Sequence, residues 1–183
     1  FFVKKKNGSL RIVIDARRPN LKLRTPPSRD FTSSKGYAQL DVQSPDEVVF
    51  MAQCDIKDYF YHLAIPSDLS RYFCLEPLHA EVARARCGKF GADGVPVQGD
   101  EAILPCLSGM PMGFAWAMYF AQEVHSAAVF DVPGIIRDRL FVPHRPAPAL
   151  SGCGPAVLAY ADNANIHGTG PTEVQCCSDA HIA

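Results

Sequence analysis

The stretch Val157-Leu158-Ala159-Tyr160-Ala161-Asp162-Asn163-Ala164-Asn165-Ile166-His167 decides the fold. Val157 to Tyr160 and Asn165 to His167 have the apolar and aromatic content of strands, and Asp162-Asn163 between them has turn chemistry. The stretch therefore reads as a β-hairpin with an acid at its tip. Well upstream, a short strand over Val48 to Cys54 delivers Asp55 at its end, in the run Cys54-Asp55-Ile56-Lys57-Asp58-Tyr59-Phe60. Two carboxylates on strand ends suit a divalent cation. Magnesium takes hard oxygen ligands, usually one or two carboxylates plus substrate phosphates. A pair of such ions clamps both the attacking and the leaving oxygen of a phosphoryl displacement. Asn163 stands where a further acid would be expected.

Working outward, Phe1 to Lys6, Asn7-Gly8 and Leu10 to Asp15 read as a second hairpin, because Asn-Gly favours the positive φ values of a two-residue turn. Residues 16–46, with Pro19, Pro26, Pro27 and Pro45, read as irregular connection. Tyr59 to Ile65 continues the Val48 strand. Pro66-Ser67-Asp68 begins a single turn, and Tyr72 to Leu75 forms another strand. Residues 79–102 hold Gly88, Gly91, Gly94, Pro96 and Gly99 and read as a loop or loosely paired hairpin; 131–155, rich in Pro and Gly, read as a second connection. Phe114 to Phe130, free of Gly and Pro, is a helix that is apolar almost all round and hence buried, with Trp116, Tyr119 and Phe120 in the core. Strands, hairpins and one buried helix without a repeat indicate the α+β class.

Composition agrees with a folded domain. The chain has 183 residues, 48% hydrophobic and 20% charged, which excludes a disordered tail. No apolar run reaches the ~18 residues of a membrane span, and no signal-peptide order is present. Seven cysteines, without Cys-x-x-Cys or zinc-type histidine spacing, read as reduced thiols, which places the protein inside the cell, cytoplasmic or nuclear. The six histidines show no ligand spacing. Net charge is −1, yet residues 1–24 carry eight Lys and Arg against Asp15 alone, so this end is +7 and the remainder −8. A basic block of that density suits phosphates, and a solvated basic arm is the alternative. The start at Phe1-Phe2-Val3, without Met, reads as part of a longer protein.

Four segments in this order resemble the reverse transcriptases of retroelements. Phe2-Val3-Lys4-Lys5-Lys6-Asn7-Gly8-Ser9-Leu10-Arg11 through Asn20 is similar to the fingers ribbon, and Asp55-Ile56-Lys57-Asp58-Tyr59-Phe60 to the first catalytic motif. Leu107 to Phe114 is similar to the Pro-Gln-Gly segment, and Tyr160-Ala161-Asp162-Asn163 to the Tyr-x-Asp-Asp hairpin. The resemblance implies an incomplete fingers-and-palm module, an antiparallel palm sheet with packed helices. Residues 1–46 would be ribbon and connection, 47–75 and 104–170 palm, and 79–102 and 131–155 loop insertions.

It further implies RNA-directed DNA synthesis, in which a deoxynucleoside triphosphate is joined to a primer 3′-hydroxyl on an RNA or DNA template with two magnesium ions, manganese being an alternative. Asp55, the Ile56 carbonyl and Asp162 would ligate metal, with Asn163 as the third catalytic position. Lys5, Arg11, Met112, Gly113 and the backbone N–H groups of Asp58 and Tyr59 would meet the nucleotide, and Phe60 would reject a 2′-hydroxyl. Asp15, Arg17 and Tyr160 would support template and primer. Residue readings stand beside these roles: Asp58 as a helix N-cap, Phe60 as a core aromatic, Asp15 with Arg17 as a local ion pair, and Asn163 as a turn-former with φ > 0. Met112 replaces the family's usual Gln and Asn163 its second Asp. A non-catalytic nucleic-acid-binding remnant is the alternative function.

Overall fold

The structure, a computed structural model, describes residues 2–28, 31, 34–87, 102–132, 135, 137–142, 145–152 and 154–182. In chain order they form β1 (Phe2–Lys4), β2 (Leu10–Ile12), α1 (Arg17–Lys22), α2 (Ser34–Tyr37), β3 (Phe50–Asp55), α3 (Tyr59–His62) and α4 (Ser67–Ser70). There follow β4 (Leu78–His79), α5 (Ala80–Cys87), β5 (Ala102–Ile103), α6 (Ala117–Phe130), a 3-10 turn at Arg137–Arg139, β6 (Ala156–Tyr160), β7 (Asn163–Gly168) and α7 (Pro171–Ile182). Helices and small antiparallel sheets mix, so the class is α+β. Among the described residues no helix is long and apolar enough to cross a membrane. The chain divides into two units, Phe1–Thr25 with Phe60–Ala117, and Pro26–Tyr59 with Met118–Ala183. The expected 47–75 stretch is thus shared between them.

The second unit is built on an antiparallel sheet in the order β3-β7-β6. Along β7 the period of two puts Ala164 and Ile166 inward, against Cys54, Val129, Val157, Val174 and Cys177. Full burial of Val129, Val157 and Ile166 is worth about 1.5–3 kcal/mol each relative to exposure. Helix α7 packs on β3 and β7. A Cβ on Gly168 would lie 2.9 Å from Val174 Cγ2, so the missing side chain permits that approach. β3 is an edge strand, and its Phe50 and Met51 are exposed.

The first unit contains the β1–β2 ribbon and a core of Ala16, Ile65, Phe73, Met110, Phe114 and Ala117. Its ribbon corrects the expected two-residue Asn-Gly turn. Gly8 N–H donates to Lys5 O at 3.0 Å, Lys5 N–H to Ser9 O at 2.7 Å, and Gly8 alone has positive φ, 84°. That is a three-residue loop with a left-handed residue at the bulge. Asn7 supports it with its side chain, Oδ1 accepting from Ser9 N–H at 3.1 Å.

Other local readings are corrected too. Tyr59 to His62 is helix, because the chain turns at Asp58 (φ 56°) and closes Tyr59 N–H onto Ile56 O. Tyr72 to Leu75 contributes only an isolated bridge, Cys74 to Cys106. Ala80–Cys87 is helix, its run of Ala, Glu and Arg outweighing the glycines that follow. Residues 88–101 lie outside the described residues. α6 is not buried all round: Ala121, His125 and Val129 face inward at a spacing of four, whereas Phe120 and Val124 are exposed and Tyr119 half-buried; Trp116, also half-buried, precedes the helix.

Candidate acidic site at the hairpin turn

β-register brings the two acids together. Asp55 is the last residue of β3 and pairs with Asn163, the first of β7, which in turn pairs with Tyr160 at the end of β6. Ala161 and Asp162 are left as the two turn residues. Ile56 N–H donates to Asp162 O at 2.8 Å, extending the ladder one step past the strand end. Asp55 is exposed and Asp162 half-buried. Among the described residues no group of three or more His, Cys, Asp or Glu gathers to hold a metal. The donor set here is two carboxylates, hard oxygens that fit magnesium in kind.

Asn163 differs from the turn-former expected. Its φ is not positive; the left-handed residue is Ala161, φ 49°, which with Asp162 on the other side of zero is the pattern of a type II′ hairpin turn. The Asn163 amide oxygen instead accepts from Asn165 Nδ2 at 3.0 Å and Gln53 Nε2 at 3.3 Å. Both lone-pair directions of that oxygen are engaged by protein.

Helix α6 holds the turn. Gln122 Nε2 donates to Ala159 O at 3.0 Å, and Gln122 Oε1 accepts from Ala161 N–H at 2.9 Å, so one side chain brackets Tyr160. One helical turn on, buried His125 donates from Nδ1 to Ala161 O at 2.6 Å; a carbonyl acceptor requires the proton on Nδ1. An L-residue in the left-handed region costs about 1–2 kcal/mol, and these contacts over-determine it. Sequence reasoning missed both residues. The signal was a glutamine and a histidine at i and i+3 within an apolar helix, which lie on one face.

Tyr59 sits beneath this region, buried, its hydroxyl donating to Ala121 O at 3.0 Å and its ring 5.9 Å from that of His125. Burial, and then the negative charge of Asp162, push its hydroxyl pKa up. Its N–H is taken by Ile56 O at 3.3 Å, so of the backbone pair assigned to a triphosphate this donor is used inside the chain, and one lone pair of the Ile56 carbonyl with it. Asp58 is exposed in its left-handed conformation. Tyr160 is exposed, its ring 5.0 Å from that of Phe31.

The remaining predicted residues belong to the first unit. Lys5 and Arg11 are exposed on the ribbon; Arg11 pairs with Val3, so the period of two puts Lys5 and Arg11 on one face. Asp15 and Arg17 form the local ion pair, Nε to Oδ1 at 2.8 Å and Nη2 to Oδ2 at 2.6 Å, and Asp15 Oδ1 also accepts Arg17 N–H at the start of α1. These bonds to Arg17 hold the Asp15 carboxyl well below the usual range. Phe60 is half-buried against the Phe73 and Phe114 core, as a core aromatic is. Met112 is half-buried. Gly113 has φ 103°, and a Cβ there would lie 3.2 Å from Ile14 O. The close approach it permits is thus to this chain's own backbone, and Asn20 fixes it by donating to Gly113 O and accepting from Ala115 N–H, each at 2.9 Å.

A scan against protein-family models returns no match, and neither does a search of curated proteins.

Proposed function

We propose that this chain is a fingers-and-palm portion of a retroelement reverse transcriptase, and that its Asp55–Asp162 site serves template-directed joining of a deoxynucleotide to a primer 3′-hydroxyl, with pyrophosphate leaving. One observation carries the reading: the β3–β7 register sets Asp55 against Asn163 while Ile56 N–H bonds Asp162 O, so the two carboxylates share one end of a sheet. The four ordered segments of sequence support it. Asp55 and Asp162 would hold the magnesium ions, with manganese able to substitute. Bound there, the metal would supply Lewis-acid stabilisation of charge on phosphoryl oxygens. Catalysis in such a site is positioning and electrostatics, and the chain's part is the fixed turn that presents Asp162. The exposed cations of the ribbon, Lys5 and Arg11 among them, suit polynucleotide phosphates.

A second reading, a nucleic-acid-binding remnant without turnover, is favoured by Asn163, whose amide oxygen is already engaged by Gln53 and Asn165. Single-nucleotide primer extension across a magnesium titration tests the two. Magnesium-dependent incorporation that is lost in both Asp55→Asn and Asp162→Asn supports the polymerase. Salt-sensitive binding of primer–template with no incorporation at any magnesium concentration supports the remnant.

A further inference from the structure

We propose that Cys74 and Cys106 are a thiol–disulfide modification site, closing to an intramolecular disulfide by exchange with a low-molecular-weight disulfide such as oxidised glutathione. The two residues are direct partners in an antiparallel bridge. Leu75 N–H donates to Pro105 O at 2.8 Å and Leu107 N–H to Phe73 O at 3.2 Å, so the flanking residues carry the ladder bonds and the cysteines occupy the non-hydrogen-bonded position between them. At that position Cα atoms approach to ~4.5 Å and side chains come closest, which lies inside the span a disulfide bridges. The two sulfurs are 3.0 Å apart and both residues are exposed. Contraction by about 1 Å reaches bonding distance of ~2.05 Å.

Cys54, Cys176 and Cys177 lack this arrangement. Cys54 and Cys177 are buried, and the Cys54 sulfur contacts the Ser178 hydroxyl at 3.3 Å. Cys176 is exposed, but its neighbour Cys177 follows it directly along α7.

The hydrogen bond to Cys74, with burial second, raises the Cys106 pKa to about 11. With the two sulfurs 3.0 Å apart, either thiol can attack first, and the steps from Cys74 hold equally with the two exchanged. Cys74 loses a proton to solvent, and its thiolate attacks one sulfur of oxidised glutathione. The glutathione S–S bond breaks, one glutathione thiolate leaves and takes up a proton, and a mixed disulfide remains on Cys74. Cys106 then loses its proton and attacks Cys74 Sγ, and the second glutathione thiolate leaves and is protonated. Two protein thiols are oxidised and one glutathione disulfide is reduced to two thiols. An exposed disulfide of this kind is readily reversed by thiols. It would close residues 74–106 into a loop containing α5, and tie that loop to the segment that runs on to Met112 and Gly113. The proposal is independent of nucleotidyl transfer.

The test uses the full chain, equilibrated with oxidised glutathione, then denatured, alkylated and weighed intact. Expected are a loss of two alkylatable thiols from the seven, their recovery with dithiothreitol, and a cross-linked peptide joining Cys74 to Cys106. Cys74→Ser and Cys106→Ser should each prevent the paired loss, the remaining thiol of the pair going no further than a glutathione mixed disulfide, and Cys176→Ser should leave the paired loss intact. Retention of all thiols, a link mapped to any other pair, or a loss of two thiols that persists in Cys74→Ser would each overturn it. Peptide mapping of the unaltered chain decides the matter without the variants.

Discussion

A neutral amide at position 163 leaves the turn with Asp55 and Asp162 as its carboxylates, and sets a quantitative question. A unit charge about 4 Å from another interacts by roughly 4 kcal/mol at an effective dielectric near 20, before screening, and 1.36 kcal/mol of barrier is about tenfold in rate. In Asn163→Asp the new carboxylate keeps the acceptor role toward Gln53 and Asn165, with stronger charge-assisted bonds, and faces Asp55 across the register. The variant should melt at a lower temperature than the parent without magnesium and gain more from added magnesium, since a ligand bound to the folded state alone stabilises by RT ln(1 + [L]/Kd). If the chain is the polymerase proposed, incorporation should rise and Asp162→Asn should abolish it; thermal melts with and without magnesium, beside primer extension, check both. Lower incorporation in Asn163→Asp than in the parent would mean a site tuned around a neutral ligand. The two acids were legible because a strand end and a turn are local patterns. The partners of Asn163 were not, because Gln53 is more than a hundred residues away along the chain and only pairing register brings it near.

Among the elements, α6 determines the turn geometry through Gln122 and His125. In Gln122→Ala the bonds to Ser126 Oγ, Ala159 O and Ala161 N–H all go, and the Ala161 N–H loses its acceptor; at about 1 kcal/mol for each of the first two and ~1–3 kcal/mol for a buried group left unpaired, the loss should be about 3–5 kcal/mol in urea unfolding. Hydrogen exchange should quicken at the β6–β7 turn more than in α7. For the ribbon, Lys5→Ala with Arg11→Ala should flatten the dependence of log K on log salt by about 0.9 for each duplex phosphate that is no longer neutralised, as binding titrations over a salt series would show; an unchanged slope means the face is only solvated. Sequence patterns located β6, β7, the ribbon and α6. They failed at α3, where Tyr59-Phe60-Tyr61 has strand-like composition and the reversal at Asp58 prevails. At α5, glycines of the following segment obscured a short run of good helix formers.

For the whole molecule, stability should depend on acid through His167. Its ring is buried, with Tyr37 and Phe141 edge-on at 5.3 and 5.9 Å, and its Nε2 has no hydrogen-bond partner among the described residues. Burial lowers its pKa from 6.5, so the unfolded chain binds the proton more readily than the folded one. The stabilisation is complete above pH 6.5 and is lost as pH falls toward the folded value. His167→Phe, which removes the unpaired nitrogen and keeps an aromatic ring, should flatten this acid limb in urea unfolding at a series of pH values. A limb unchanged in the variant would assign it to other titrating groups. Composition and charge indicated a folded domain with a basic end. The division into two units was not legible, since each is assembled from two separate stretches and the chain passes between them three times.

That interleaving has a consequence during synthesis. Asp55 leaves the ribosome with β3, but the strand that pairs with it begins only at Asn163. At about 5–20 residues per second, an interval on the order of 5–20 s passes in which β3, with Phe50 and Met51 exposed even in the finished fold, has no neighbour on either side. The nascent chain is then most open to wrong pairing and to capture by chaperones. Slower codons between β3 and β7 would lengthen that exposure. The yield of native protein should therefore respond to synonymous changes there more than to the same changes after Gly168.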